Sequence, residues 1–140
     1  MLETDKAYMA AILDGEGCVG MRQKSSSTCF TPSLRVSVTN TNVVLMTWIT
    51  SRFGGWVVHS TRKKGNRKPS HQWWIKGKKA QAFLLLLKPY IILKAEHVRL
   101  ALSLNYSVSN RITDEERALR KEAFERFKVL NHRGINKEGE

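Results

Sequence analysis

The chain has 140 residues and a mass of 16.0 kDa, with 24 Lys plus Arg against 12 Asp plus Glu, a net charge of +12 and a pI near 10.1. One compact domain is the expectation at this length, and 41% hydrophobic residues with four Trp suffice for a core, which excludes wholesale disorder. No run of 18 apolar residues offers a transmembrane helix, and so basic a chain favours a polyanionic partner, nucleic acid ahead of an anionic membrane surface.

The first element expected is a helix over about Lys6 to Asp14, capped by Asp5 and ended by Gly15 and Gly17. Its flanking stretch, MLETDKAYMAAIL, carries acids and a single Lys. It resembles neither a secretory signal nor an Arg-rich transit peptide, so an intracellular location is expected. CVGMRQK (18–24) reads as a strand and SSST (25–28) as a loop. SLRVSVT (33–39) alternates, with Leu34, Val36 and Val38 on one face and Ser33, Arg35 and Ser37 on the other. Asn40 or Asn42 then caps a helix, NVVLMTWITSRF, ended by Gly54 and Gly55.

A second hairpin follows, WVVHST (56–61) and HQWWIK (71–76) around the basic loop RKKGNRKPS. KKAQAFLLLLK opens a third helix, halted at Pro89, and from Tyr90 to about Tyr106 the pattern is helical again. Thr113 and Glu116 form a T-x-x-E capping box before a polar amphipathic helix to about Val129, and NHRGINKEGE reads as a loose tail. This order predicts a single α+β domain over 1–140, with one four-stranded antiparallel sheet and helices on one of its faces. The core spans about 5–108, and a C-terminal helical extension spans about 113–130. No internal repeat is visible.

Charge is segregated along the chain. From Gly17 to Ala95 there is no acid, and that stretch carries fourteen Lys and Arg; the rest of the chain sums to −2. A solvated basic surface would mix signs, so an electrostatic footprint for a phosphate backbone fits better. Cys18 and Cys29 form neither metal-ligand spacing nor a disulfide framework, which suits a reducing compartment. His59, His71, His97 and His132 share no metal spacing and read as structural.

Asp14 and Glu16 sit at a helix C-terminus, where acids are unfavourable by roughly 0.3–1 kcal/mol each. They are the acids that immediately precede the basic stretch. The bland reading is solvation or pairing with a Lys; the functional one is a divalent-cation site, because hard oxygen ligands hold Mg²⁺ and bridge it to phosphate. Ala7, Ala10 and Ala11 with Gly15 offer small residues at helical spacing, suited to intrachain packing or to close approach of two helices.

Tyr8 to Gly17, with the nine-residue core M-A-A-I-L-D-G-E-G, resembles the signature helix of the LAGLIDADG homing endonucleases. Ser37-Val38-Thr39-Asn40 resembles the family's strand-to-helix junction and Phe53-Gly54-Gly55 its helix end. Trp73-x-Ile75-x-Gly77-x-x-Ala80, then Pro89-Tyr90 and Ile92-Leu93-Lys94, resemble its second half. The resemblance covers about residues 5–108 and implies an αββαββα fold whose sheet lies in the major groove of DNA.

One motif per chain implies a homodimer, with Ala7, Ala10, Ala11 and Asp14 at the interface. The family implies Glu16 as principal metal ligand, where Asp is commoner, and the Gly15 carbonyl as a second. Mg²⁺ is the implied cofactor, with Mn²⁺ or Ca²⁺ as substitutes in binding. Lys94 and Asn40 match positions that organise the catalytic water network. A further basic position falls on Val44, a departure from the pattern.

Strand alternation gives the DNA-facing candidates Arg22, Lys24, Ser33, Arg35, Ser37, Gln72, Trp74 and Lys76. Arg62, Lys63, Lys64, Arg67 and Lys68 in the hairpin loop are candidates for phosphate contact. On the third strand the phase is open between Val58, Ser60 and Arg62 and the pair His59 and Thr61. The implied function is a sequence-specific, Mg²⁺-dependent double-strand DNA endonuclease cutting at a palindromic or near-palindromic site. Alternatives are an intron RNA splicing cofactor, a non-cleaving DNA-binding protein of the same fold, or, from charge alone, a small ribonucleoprotein component. No membrane partner is expected.

Overall fold

A computed structural model describes residues 2–23, 32–60, 69–104 and 113–132. Helix α1 (Glu3–Glu16) leads into strands β1 (Gly17–Arg22) and β2 (Ser33–Asn40), then helix α2 (Val43–Phe53). Strands β3 (Trp56–Ser60) and β4 (Ser70–Lys76) precede α3 (Gly77–Leu87), a 3₁₀ turn at Lys88–Tyr90, α4 (Ala95–Leu102) and α5 (Asp114–Leu130). The four strands form one antiparallel sheet in the order β1-β2-β4-β3, the α+β architecture expected.

The alternation of β2 is realised residue by residue. Leu34, Val36 and Val38 are buried, while Ser33, Arg35 and Ser37 lie on the opposite, polar face. Val19 from β1 and Trp73 and Ile75 from β4 complete the buried face. Met9, Ala10 and Leu13 of α1, Met46 and Ile49 of α2, and Ala80, Phe83, Leu84 and Leu87 of α3 cover it. Trp73 is fully buried, stands 5.2 Å from the ring of Phe83, and donates its indole N–H to the Gly54 carbonyl at 2.6 Å. A side chain at Gly55 would meet that indole at 2.5 Å, and Gly55 has φ of +88°, so only glycine fits the bend between α2 and β3.

Several local expectations change. Helix α1 begins at Glu3 rather than after Asp5, whose carboxylate instead pairs with Arg52 of α2 at 3.3 Å. Gly15 lies inside the helix, which ends at Glu16. Gly17 is required by contact rather than by backbone angle: its φ is −92°, and a Cβ there would lie 2.4 Å from Leu13 Cδ1. Asn42, not Asn40, caps α2, accepting from the Val44 N–H at 2.9 Å.

The continuous helix expected from Tyr90 to Tyr106 is also corrected. α4 covers Ala95–Leu102, and Ile92 and Leu93 are 80% and 74% exposed. The reason is the carboxylate of Asp14, which accepts from the N–H groups of Ile92, Leu93 and Lys94 at 2.8, 3.2 and 3.1 Å and so holds that segment in a non-helical arc.

α5 starts at the predicted Thr113, whose hydroxyl accepts from the Glu116 N–H at 3.1 Å. Its buried face carries Ala123 and Phe127 together with an ion pair, Arg120 Nη2 to Glu116 Oε2 at 3.3 Å. Among the described residues no helix is long and apolar enough to cross a membrane.

Candidate active site and nucleic-acid interface

The C-terminus of α1 gathers residues that are far apart in sequence. Glu16, exposed at the last helical position, accepts a hydrogen bond through Oε2 from Asn40 Nδ2 at 3.0 Å. Asn40 reaches it because Gly17, the next residue, pairs with Val38 two positions away on β2. The Asn40 Oδ1 accepts from the Asn42 N–H at 2.8 Å, which fixes the amide orientation from its other end.

Lys94 arrives from the arc before α4. Its Nζ donates to the Asp14 carbonyl at 2.9 Å, placing a cation at the negative end of the α1 dipole. The arc itself is fastened by the Asp14 carboxylate. The two acids thus divide their work: Asp14 is spent on three backbone N–H groups, and Glu16 remains exposed with a single amide partner described.

Gly15 is exposed, and a Cβ there would meet nothing within 4 Å, so the helix end is sterically open beside Glu16. Among the described residues no three His, Cys, Asp or Glu side chains group to hold a metal. Glu16 and the Gly15 carbonyl are hard oxygen donors of the kind Mg²⁺ takes, and they fit as a partial set, because Mg²⁺ commonly keeps several waters and completes its shell with phosphate oxygens.

The interface candidates Ala7 and Ala11 are exposed on α1 in line with Gly15. Ala10 is not: it is fully buried in the chain's own core, which corrects its placement on an intermolecular face. The exposed side chains of Ile92 and Leu93 follow the arc bound to Asp14 and so lie by the same helix end.

Register lays out the polar face of the sheet in rows. One row is Cys18, Ser37, Trp74 and Trp56; the next toward the end of β4 is Gly20, Arg35 and Lys76; on the other side lie Thr39, Gln72 and Val58. Arg22 and Ser33 are opposite each other at the far end. All the described DNA-facing candidates therefore share this face. The open phase of β3 is resolved in favour of Val58 and Ser60. Lys24, Arg62, Lys63, Lys64, Arg67 and Lys68 lie outside the described residues.

Arg35 is held on the face by two partners. Its guanidinium sits 4.7 Å over the ring of Trp74, and Nη2 donates to Gln72 Oε1 at 3.4 Å. Burial first, and repulsion from Arg22 second, draw its pKa below the ordinary guanidinium value.

His59 and His71 occupy opposed positions on the other face, with Nδ1 atoms 2.6 Å apart, a pairing that sequence spacing does not reveal. Sequence reading places α5 but misses its contacts with the sheet. Asn131, at its end, donates through Nδ2 to the Val19 carbonyl at 3.0 Å and pairs through Oδ1 with His97 Nε2 at 3.0 Å. A cleft of about 410 Å³ runs between this helix end and the polar sheet face, lined by Arg22, Arg35, Thr39, Phe124 and Lys128 among others. No periodic or motif signal in α5 points to this.

No protein-family model and no curated protein sequence matches the chain. Solved structures do. The homing endonuclease I-CvuI, in complex with the I-CreI target in the presence of Mg with the DNA not cleaved, superposes with a TM-score of 0.72 at 20% identity, covering 93% of this chain and 83% of that one. The I-SmaMI LAGLIDADG homing endonuclease bound to cleaved DNA matches with a TM-score of 0.56 at 20% identity over 92% of this chain and 43% of that one. The archaeal intron-encoded homing endonuclease I-Vdi141I, complexed with DNA, gives 0.55 at 14% identity over 91% and 98%. The chain has the fold of the LAGLIDADG homing endonucleases.

Proposed function

We propose that the protein is a homodimeric, divalent-metal-dependent endonuclease that cuts both strands of a specific DNA duplex at a palindromic or near-palindromic site. The observation that carries this reading is the meeting of Glu16, Asn40 and Lys94 at one open helix end, beside a sheet whose polar face is basic. In that reading the sheet face lies along the major groove and Arg22 and Lys76 contribute both base and phosphate contacts.

Glu16 and the Gly15 carbonyl would hold the metal, and Asn40 orients the Glu16 carboxylate. Lys94 adds positive charge where the phosphate charge develops. When bound, Mg²⁺ supplies Lewis acidity and an acidified water. Among the described residues one open carboxylate at this helix end is a sparse set, which supports an active centre assembled from two chains. The small exposed stripe of Ala7, Ala11 and Gly15, flanked by Ile92 and Leu93, supports close approach of a second copy. In I-SmaMI the matched portion is less than half of the chain, leaving length for a second such unit.

The deciding experiment is cleavage-site selection from a randomised duplex library, comparing the native chain with Glu16→Gln. Metal-dependent cutting of enriched sites by the native chain and not by the variant is expected. Enriched binding without cutting by either would support a non-cleaving DNA-binding role instead. A protein that stays monomeric on its DNA would exclude the shared centre.

A further inference from the structure

Two indoles stack on the polar face of the sheet. Trp74 and Trp56, opposed in register, have ring centroids 4.9 Å apart and planes 26° from parallel. The Arg35 guanidinium lies 4.7 Å from the Trp74 ring centre, and the Lys79 ammonium lies 5.9 Å from that of Trp56. Arg35 is on β2 and Trp56 on β3, and these strands flank β4 on opposite sides. The four side chains therefore form a cation–indole–indole–cation stack that crosses the sheet.

This stack is not part of the hydrophobic core. Trp73, the inward neighbour of Trp74, fills that role at 0% exposure, whereas Trp56 is 47% exposed. Val58, 52% exposed on the same face of β3, extends the apolar surface. Such a surface on an otherwise polar and cationic face calls for an apolar feature in the partner.

The geometry separates two chemistries. Stacking an unpaired base requires an open ring face. Here the faces of the Trp74 ring are occupied by Arg35, Lys76 and Trp56. What the pair turns outward is apolar ring edge. In the major groove the apolar feature of a base pair is the 5-methyl group of thymine.

We propose that the Trp74–Trp56 stack is a thymine-reading element, packing against 5-methyl groups at one or two positions of each half-site. This rests on the duplex-DNA reading above but requires only binding, not cleavage. Arg35 acts as a positioning residue: held by the indole and by Gln72, it keeps the Trp74 ring from turning its face to the groove.

The test uses the full chain and a duplex recovered by selection, with binding measured by fluorescence anisotropy in Ca²⁺. Each thymine is replaced in turn by deoxyuridine, which preserves base pairing and removes only the methyl. Affinity should fall about fourfold per methyl lost at one or two positions per half-site. Trp74→Ala should bind the thymine and uracil duplexes alike. Trp56→Ala removes an exposed side chain outside the core, so it should fold even if Trp74→Ala does not, and should shrink the penalty. A native protein indifferent to every replacement, or a penalty unchanged in both variants, would overturn the assignment while leaving sequence-specific binding intact. Preference for single-stranded over duplex DNA would overturn it in favour of base stacking. Failure to enrich any duplex would remove the endonuclease reading and this assignment with it.

Discussion

Asn40 and Glu16 are joined by a 3.0 Å hydrogen bond, the amide Nδ2 donating to carboxylate Oε2 at the point where α1 gives way to β1. The other end of the amide is held by the Asn42 N–H, so the carboxylate is oriented by a group that cannot rotate freely. An oriented carboxylate at an open helix end is a better metal ligand than a mobile one, because less freedom is lost on binding.

Replacing Asn40 by Ala should lower cleavage by about 10–100-fold, the range typical of partners that orient a metal ligand. Target binding in Ca²⁺ should change little. Asn40→Gln, which keeps the amide, should recover part of the rate. Glu16→Gln should abolish metal-dependent cutting while the variant still binds its target, as measured by gel shift beside single-turnover cleavage.

Asp14 should behave differently from Glu16. Its carboxylate accepts three backbone N–H bonds, so Asp14→Ala should cost about 1.5–3 kcal/mol of stability, the range for hydrogen bonds to a charged group. Urea unfolding midpoints of the two single variants would separate them: Asp14→Ala should fall well below the native chain and Glu16→Gln should not.

The two adjacent alanines of α1 should also part company. Ala10→Leu inserts volume into a fully packed core and should destabilise by about 1–3 kcal/mol. Ala11→Glu changes an exposed position, so the far-ultraviolet circular dichroism of a folded chain should persist. Sedimentation should show a dimer for the native chain and a monomer for this variant.

His97 provides a pH signature. Burial is the main influence on its imidazole, and with Lys94 nearby it draws the pKa below the ordinary 6.5, against the opposing hydrogen bond to Asn131. The unfolded chain therefore binds its proton more readily. Stability from the neutral ring is present above about pH 6.5 and falls as pH drops toward the lower folded value. Thermal midpoints measured between pH 7.5 and 5.5 should decline for the native chain and decline less for His97→Gln.

What was legible in the sequence is what depends on local pattern. The alternation of Leu34, Val36 and Val38 with Ser33, Arg35 and Ser37 is a property of one strand, and β2 follows it throughout. Thr113 at the start of α5 is likewise local. The arc at Ile92–Lys94 was not legible, because the carboxylate that prevents helix formation there is Asp14, 78 to 80 residues away. Ala10 could not be distinguished from Ala7 and Ala11 because small residues on a helix suit either a tight core or a tight interface. The facing of β3 needed its register with β4, and the position of α5 depends on side-chain contacts at its end that carry no motif. That Asn40 and Lys94 both reach the end of α1 could be expected only from family resemblance; the strand pairing and the Asp14 fastening supply the physical route.

β1 forms one border of the sheet, and the bond from Asn131 to the Val19 carbonyl is made on that strand. A border strand with free carbonyls is a template on which another polypeptide can add itself. Here a side-chain amide from the end of the C-terminal helix takes the place of an incoming backbone N–H. The C-terminal helix thus acts as a stopper on sheet growth: a chain lacking it should leave β1 open to edge-to-edge association.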